Sequence, residues 1–201
     1  MPGDINPQTL LQLAGVNLSP AKVSDGSLVL IDLQNEYLTG PIAVANAKRA
    51  IANAAHLLTL ARESGAPVLH VAHRGRPGGL FDRAAERGQI VPQLAPLSGE
   101  AVIEKGLPNS FAGTDLQALL LKTGRKDLIL AGFMTHMCVS STARAAVDLG
   151  YRCTIASSAC GTRDLPDGRG GVVAAENVHN VALVELSDRF AVIANSVEEL
   201  A

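Results

Sequence analysis

At 201 residues the chain is long enough for one domain that buries a sizeable core without disulfides, or for one domain with a short extension. Apolar residues make up 47% and aromatics only 3%, so the core is expected to be aliphatic. A formal net charge of -2 leaves no basic surplus for nucleic acid or an anionic membrane surface, and no apolar run approaches the roughly 20 residues that span a bilayer.

Residues 1–24 read as an irregular N-terminal extension with one short helical stretch, Gln8 to Leu13. Its start lacks the positive charge of a signal peptide. The three cysteines, Cys138, Cys153 and Cys160, contain no CxxC pair, so neither a zinc knuckle nor a thioredoxin motif is on offer. Three cysteines suit a reducing compartment, and the expected location is cytoplasmic.

Residues 25–201 then read as one domain. Ser27 to Asp32 is a compact apolar strand ending in an acid. Ala43 to Glu63 has helical spacing and is stopped by Gly65. Pro67 to Ala72 is a second strand, and Arg74 to Ser98, rich in Gly, Pro and Arg, is a long excursion over one end of the domain. Ala101 to Glu104 is a short third strand, Thr114 to Leu121 a helix with Thr114 as its N-cap, and Asp127 to Ala131 a fourth strand. Cys138 to Leu149 is a helix, Tyr151 to Ala156 a fifth strand, Val172 to Leu183 a helix and Phe190 to Ile193 a last strand. Such alternation predicts the α/β class: a three-layer α/β/α sandwich with a mostly parallel, Rossmann-like central sheet. The first and fourth strands are apolar on both faces, as buried parallel strands are.

In an open parallel sheet, ligands bind at the carboxyl ends of the strands, where the strand order reverses. Three residues qualify. Asp32 ends the first strand, Lys105 follows the third, and Cys138 follows the fourth by a short turn. At a helix N-terminus Cys138 would face free backbone N–H groups and the positive end of the dipole, both favouring a thiolate whose free pKa is about 8.5. The same N–H groups suit the oxyanion of a tetrahedral intermediate. A buried, inert cysteine fits the position equally well. A carboxylate after so apolar a run is partly desolvated and calls for a partner, although Asp in this place is often a turn residue. Lys105 is either that partner or a surface lysine.

Three segments carry a resemblance: LVLIDLQNEYLTG (28–40), IEKGLPNSF (103–111) and GFMTHMCVSSTARAAVDLGY (132–151). Together, and in this order, they resemble the isochorismatase-like cysteine hydrolases over about residues 25–195. The resemblance implies a catalytic triad of Asp32, Lys105 and Cys138. It also implies a cis peptide at Phe133–Met134, in a turn that aims the backbone N–H groups of Met134 and Cys138 at an oxyanion. The implied activity is cleavage of an amide, carbamoyl or ureido C–N bond through a thioester, with no cofactor. Two other functions remain open. One is vinyl-ether hydrolysis with Asp32 as the acid; the other is a non-catalytic binder of small molecules on the same fold.

Metal-bearing relatives carry an Asp-x-His element, which is absent here. His70 and His73 are three apart on a strand and point to opposite faces, so they are read as structural or pocket-lining residues and no metal is expected. Gln34, Tyr37, Phe111 and His136 are candidate substrate contacts. For Tyr37 and Phe111 core packing is the competing role, and for His136 an exposed turn position. Thr135 is expected to tie its turn together by a hydrogen bond. Arg74, Arg76 and Arg83 are read as solvated, Arg144 as a structural ion pair and Cys153 as core. Cys160 follows the fifth strand without an assigned role. The expected partners are a small-molecule substrate and further copies of the chain, with neither nucleic acid nor membrane.

Overall fold

The computed structural model describes residues 6–201; residues 1–5 of the expected extension lie outside the described residues. The chain builds α1 (Leu10–Leu13), β1 (Ser27–Ile31), α2 (Ala47–Glu63), β2 (Val68–His73), β3 (Ala101–Lys105), α3 (Leu116–Thr123) and β4 (Asp127–Phe133). It continues through α4 (Ser140–Asp148), β5 (Arg152–Gly161), β6 (Leu165–Pro166), β7 (Val172–Val173), α5 (Ala175–Arg189) and β8 (Ala191–Ala194). Six strands form one sheet in the order β3-β2-β1-β4-β5-β8, every neighbouring pair parallel.

The period of two along β1 sorts its side chains between two layers. Leu28 and Leu30 join Ala54, Leu57 and Leu58 of α2 on one face. Val29 and Ile31 join Leu116 and Leu120 of α3, Ala143 and Ala146 of α4 and Leu186 of α5 on the other. Each fully buried Leu or Ile is worth roughly 1.5–3 kcal/mol relative to exposure. These two cores are what fix a three-layer α/β/α sandwich. No helix among the described residues is long and apolar enough to cross a membrane.

Boundaries differ from the sequence reading for local reasons. Helix α2 starts at Ala47 rather than Ala43, because the amides of Ala43, Val44 and Ala45 are taken by the carbonyls of Gly40, Tyr37 and Thr162. Helix α3 starts at Leu116. Thr114 Oγ1 accepts from Leu116 N–H and donates to the Ser110 carbonyl, so it bridges the preceding turn instead of occupying the N-cap position, which is Asp115. Strand β5 runs to Gly161 because the pairing resumes after a bulge: Leu130 faces Ile155, whereas Gly132 faces Cys160. Cys160 therefore lies within the strand. Val172 and Val173 pair with β6 in a small antiparallel ribbon instead of opening α5. The extension is tied down. Thr9 and Gln12 form a capping box at α1, Leu10 N–H donates to Asp188, and Val23 N–H to the Leu200 carbonyl.

Candidate active site

Strand β1 has β2 on one side and β4 on the other, so the order of the sheet reverses between β1 and β4. The crevice above that reversal is where this topology exposes strand ends to a ligand. Gly132 makes the close approach possible. It holds φ +136°, and a Cβ there would lie 2.0 Å from the Ile31 carbonyl oxygen, so only glycine lets β4 run this tightly beside β1 before the turn. Asp32, immediately after β1, adopts φ 53°, which turns the chain away from the sheet.

Asp32, Lys105 and Cys138 come together. Lys105 Nζ donates to Asp32 Oδ2 at 2.6 Å and to Cys138 Sγ at 3.2 Å. All three residues are 3% exposed or less. Lys105 is thus the partner of Asp32 and not a surface lysine. Asp32 Oδ1 is buried with no hydrogen-bond partner, and a carboxylate oxygen of Asp32, Cys138 Sγ and a ring nitrogen of His73 lie within 4.8 Å of one another. Oxygen, sulfur and imidazole ligands of this kind suit a divalent transition metal. The Lys105 ammonium already contacts all three side chains, reaching His73 Nδ1 at 3.4 Å, and a metal ion would have to displace it.

The nucleophile turn departs from expectation in two ways. Cys138 does not open a regular α-helix. It sits in a π-helical turn, Thr135–Val139, that precedes α4, because the Met134 carbonyl accepts from both Met137 and Val139 N–H and widens the first turn. The Phe133–Met134 peptide is cis, and Met134 N–H has no acceptor among the described residues. Nor is the thiol acidified. Burial, followed by the negative charge of Asp32, pushes it up to about 12, and the Lys105 ammonium offsets only part of this. Desolvation of the sulfur is the largest of these effects. Burial likewise raises the Asp32 carboxyl above its ordinary value, against the lowering effect of Lys105.

Of the other sequence candidates, Gln34 is spent on structure. Its amide accepts from His73 N–H at 2.8 Å and donates to the His73 and Gly88 carbonyls at 2.9 and 2.7 Å, strapping the 74–98 excursion to β2. Tyr37 packs edge-on against Phe81 and Phe133, and Phe111 stacks on Tyr151, so both are packing residues. His136 is half-buried with Nδ1 2.7 Å from Thr162 Oγ1. Thr135 does tie its turn, at 2.8 Å from His179 Nδ1. His70 points away from the site to Glu100, whereas His73 lies beside Lys105; burial and then the Lys105 charge lower His73 to about 4, so the imidazole is neutral near pH 7. Arg83 is engaged by Glu104 and the Gly88 carbonyl, and Arg144 pairs with Glu185 at 3.3 Å. Glu36, unmarked in the sequence reading, is buried and anchors the excursion through Phe81 N–H and Arg87. A Glu near a tight strand-end turn carries no signal of that role until the distant segment is in place.

A cavity of about 680 Å³ lies elsewhere. Asn46, Arg49 and Asn53 of α2, the end of β5 and His179 of α5 line it, and none of Asp32, Lys105 or Cys138 does. Its lining offers the Ser157, Ser158 and Thr162 hydroxyls and the Cys160 thiol, which burial raises to about 12; the Asp32–Lys105–Cys138 crevice is selected instead because there one buried ammonium bridges a carboxylate and a thiol.

Comparison with known proteins agrees with this architecture. Residues 27–198 match the isochorismatase domain family. A secreted isochorismatase effector of Verticillium dahliae is 40% identical over 185 residues, covering 92% of this chain and 95% of that protein. The maleamate amidohydrolase of Pseudomonas putida is 30% identical over 154 residues, covering 68% of this chain and 72% of that enzyme. The crystal structure of an isochorismatase from Pseudomonas putida KT2440 superposes with a TM-score of 0.93 at 45% identity, covering 98% of this chain and 100% of that one. With its parallel six-stranded sheet and a domain match over nearly its whole length, the chain belongs to the isochorismatase family of hydrolases.

Proposed function

We propose that the protein hydrolyses a C–N bond of a small amide, carbamoyl or ureido compound, with Cys138 as nucleophile, Asp32 as general base and Lys105 as the cation that positions both. The observation that carries this reading is one buried ammonium shared by a carboxylate at 2.6 Å and a thiol at 3.2 Å. An amidohydrolase among its relatives supports an amide-type substrate. A reducing, cytoplasmic setting belongs to the same proposal, since the reaction needs a free thiol and all three cysteines are unpaired.

A thiol held up to about 12 is not a standing thiolate, so proton transfer accompanies attack. Asp32 takes the thiol proton as the Cys138 sulfur bonds to the carbonyl carbon. The N–H groups of Met134 and Cys138 receive the oxyanion. The C–N bond breaks as Asp32 returns the proton to the leaving nitrogen. Water then attacks the thioester, giving its proton to Asp32; the C–S bond breaks and the sulfur recovers that proton. The raised Asp32 carboxyl is the better base for this shuttle. Positioned acid–base help of this kind is typically worth 10²–10⁴-fold.

A panel of small monoamides and ureides assayed with wild type, Cys138→Ala and Asp32→Asn tests the reading. Loss of turnover in both variants, with an acyl adduct on wild-type Cys138 seen by intact mass, is expected. Full turnover in Cys138→Ala would sink the thiol mechanism, and dependence on Asp32 alone would point to acid-catalysed vinyl-ether cleavage.

A further inference from the structure

Strand β2 sends a fourth side chain to the Asp32–Lys105–Cys138 crevice. His73 ends β2 and pairs in register with Lys105, which ends β3, so the two side chains leave the sheet on the same face. Asp32 follows β1 on the other side of β2, with its N–H bonded to the Val71 carbonyl at 2.9 Å. The backbone of His73 is held at both its polar groups by Gln34, whose amide accepts from the N–H at 2.8 Å and donates to the carbonyl at 2.9 Å. Phe81 packs on the half-buried imidazole with ring centroids 4.9 Å apart. A ring nitrogen of His73 thereby lies within 4.8 Å of both Cys138 Sγ and an Asp32 carboxylate oxygen.

An ammonium has three N–H donors and no acceptor. Those of Lys105 meet three acceptors among the described residues: Asp32 Oδ2 at 2.6 Å, Cys138 Sγ at 3.2 Å and His73 Nδ1 at 3.4 Å. Facing an ammonium, Nδ1 can only accept, so the ring proton of a neutral His73 sits on Nε2. Burial, then the Lys105 charge, keeps that ring neutral near pH 7. The three acceptors are unequal. The carboxylate attracts most strongly, and its Oδ1 is buried without a partner, so it is open to a second ammonium proton. An ammonium that turned its third proton to Oδ1 would settle on Asp32 and loosen from the sulfur. An acceptor that occupies this third proton opposes the collapse.

We propose that His73 is a positioning residue of the active site: its unprotonated Nδ1 is the third acceptor of the Lys105 ammonium and keeps that cation against Cys138 instead of letting it settle on Asp32. The role of the contact in turnover rests on Cys138 being the nucleophile. His73 acts through Lys105 and touches no reacting atom. Its effect reaches the thiol because the nearby ammonium, by its charge and its hydrogen bond, is what lowers the Cys138 pKa against burial and Asp32. The strap that Gln34 puts on residue 73 then has a purpose in the crevice, since it fixes the acceptor that fixes the cation.

The test needs no known substrate. Two variants separate acceptor from packing. His73→Asn keeps an acceptor where Nδ1 stood and loses the ring against Phe81; His73→Leu keeps apolar bulk and loses the acceptor. Cys138 of the full chain is alkylated with iodoacetamide at one pH below about 12, and the labelled peptide is quantified. One unit added to the thiol pKa slows this reaction about tenfold. His73→Leu is expected to slow it by about that factor, and His73→Asn to stay within about threefold of wild type. A purely structural role predicts the reverse order, or equal slowing in both, and either result overturns the assignment, as does a His73→Leu rate equal to wild type. Long-range proton–nitrogen correlation spectra of the wild-type protein, with His73→Asn used to assign the ring, give a check that no variant's folding can spoil. A His73 ring protonated at Nε2 alone near pH 7 is expected; a proton on Nδ1 overturns the proposal. Those failures leave the thiol mechanism standing, because that mechanism falls only on full turnover in Cys138→Ala.

Discussion

At the scale of single residues, one ammonium decides the behaviour of the crevice. Lys105 is fully enclosed, and Asp32 Oδ1 beside it has no partner, so the group is held together by charge in a poorly solvated place. Removing one member of a buried pair leaves an uncompensated charge at a cost of about 3–5 kcal/mol. Lys105→Met is expected to lose stability on that scale in urea unfolding, with Asp32 pushed further toward its protonated form. Asp32→Asn works in the opposite sense on the thiol. The carboxylate raises the Cys138 pKa and Lys105 lowers it, so Asn at position 32 removes the first effect and frees the second. Alkylation of Cys138 in Asp32→Asn should therefore run faster than wild type at a fixed pH below about 12, while turnover falls by at least about a hundredfold. A slower thiol in that variant would mean that the carboxylate does not sit against the sulfur as described.

At the scale of elements, an ionic clamp joins the end of α2 to β2. Glu100 accepts from Arg62 at 2.8 and 2.9 Å, lies 2.8 Å from His70 Nε2, and accepts the Leu97 N–H at 2.9 Å. The Arg62 hydrogen bonds foremost hold its carboxyl down to about 2, from an ordinary 4.5. Because the folded value lies below the unfolded one, the clamp's contribution is complete above about pH 4.5 and is lost as the pH falls toward 2. Glu100→Gln is expected to cost at most about 3 kcal/mol at neutral pH and to flatten the acid side of the stability profile in that window. An unaltered profile would show the clamp to be solvated and idle. Two other ties hold the excursion: Gln34 fastens it to β2, and Glu36 binds it through Phe81 and Arg87.

At the scale of the whole molecule, the chain is proposed to assemble with itself. Val181 and Val184, one turn apart on α5, are 59% and 68% exposed, and burying such side chains against a second copy would be favourable. Sedimentation at working concentration should give more than the monomer mass, and Val181→Lys with Val184→Lys should restore the monomer. A monomeric wild type would overturn the assembly.

The sequence by itself determined the layers and the place of the candidate site. Leu28 to Ile31 are apolar on both faces, which only a strand covered on both sides tolerates, and the strand-end positions of Asp32, Lys105 and Cys138 were legible from the alternation alone. Residues whose role depends on distant partners were not legible. Gln34 reads as a pocket residue until His73 and Gly88 close around its amide, and Tyr37 until Phe81 and Phe133 meet its ring. Only the tertiary structure decided the ionisation of the site. The thiol's position before a helix argues for acidity, but its pKa is set by how much water and which charges remain around the sulfur, and those come from strands β1 and β3, more than thirty residues away along the chain.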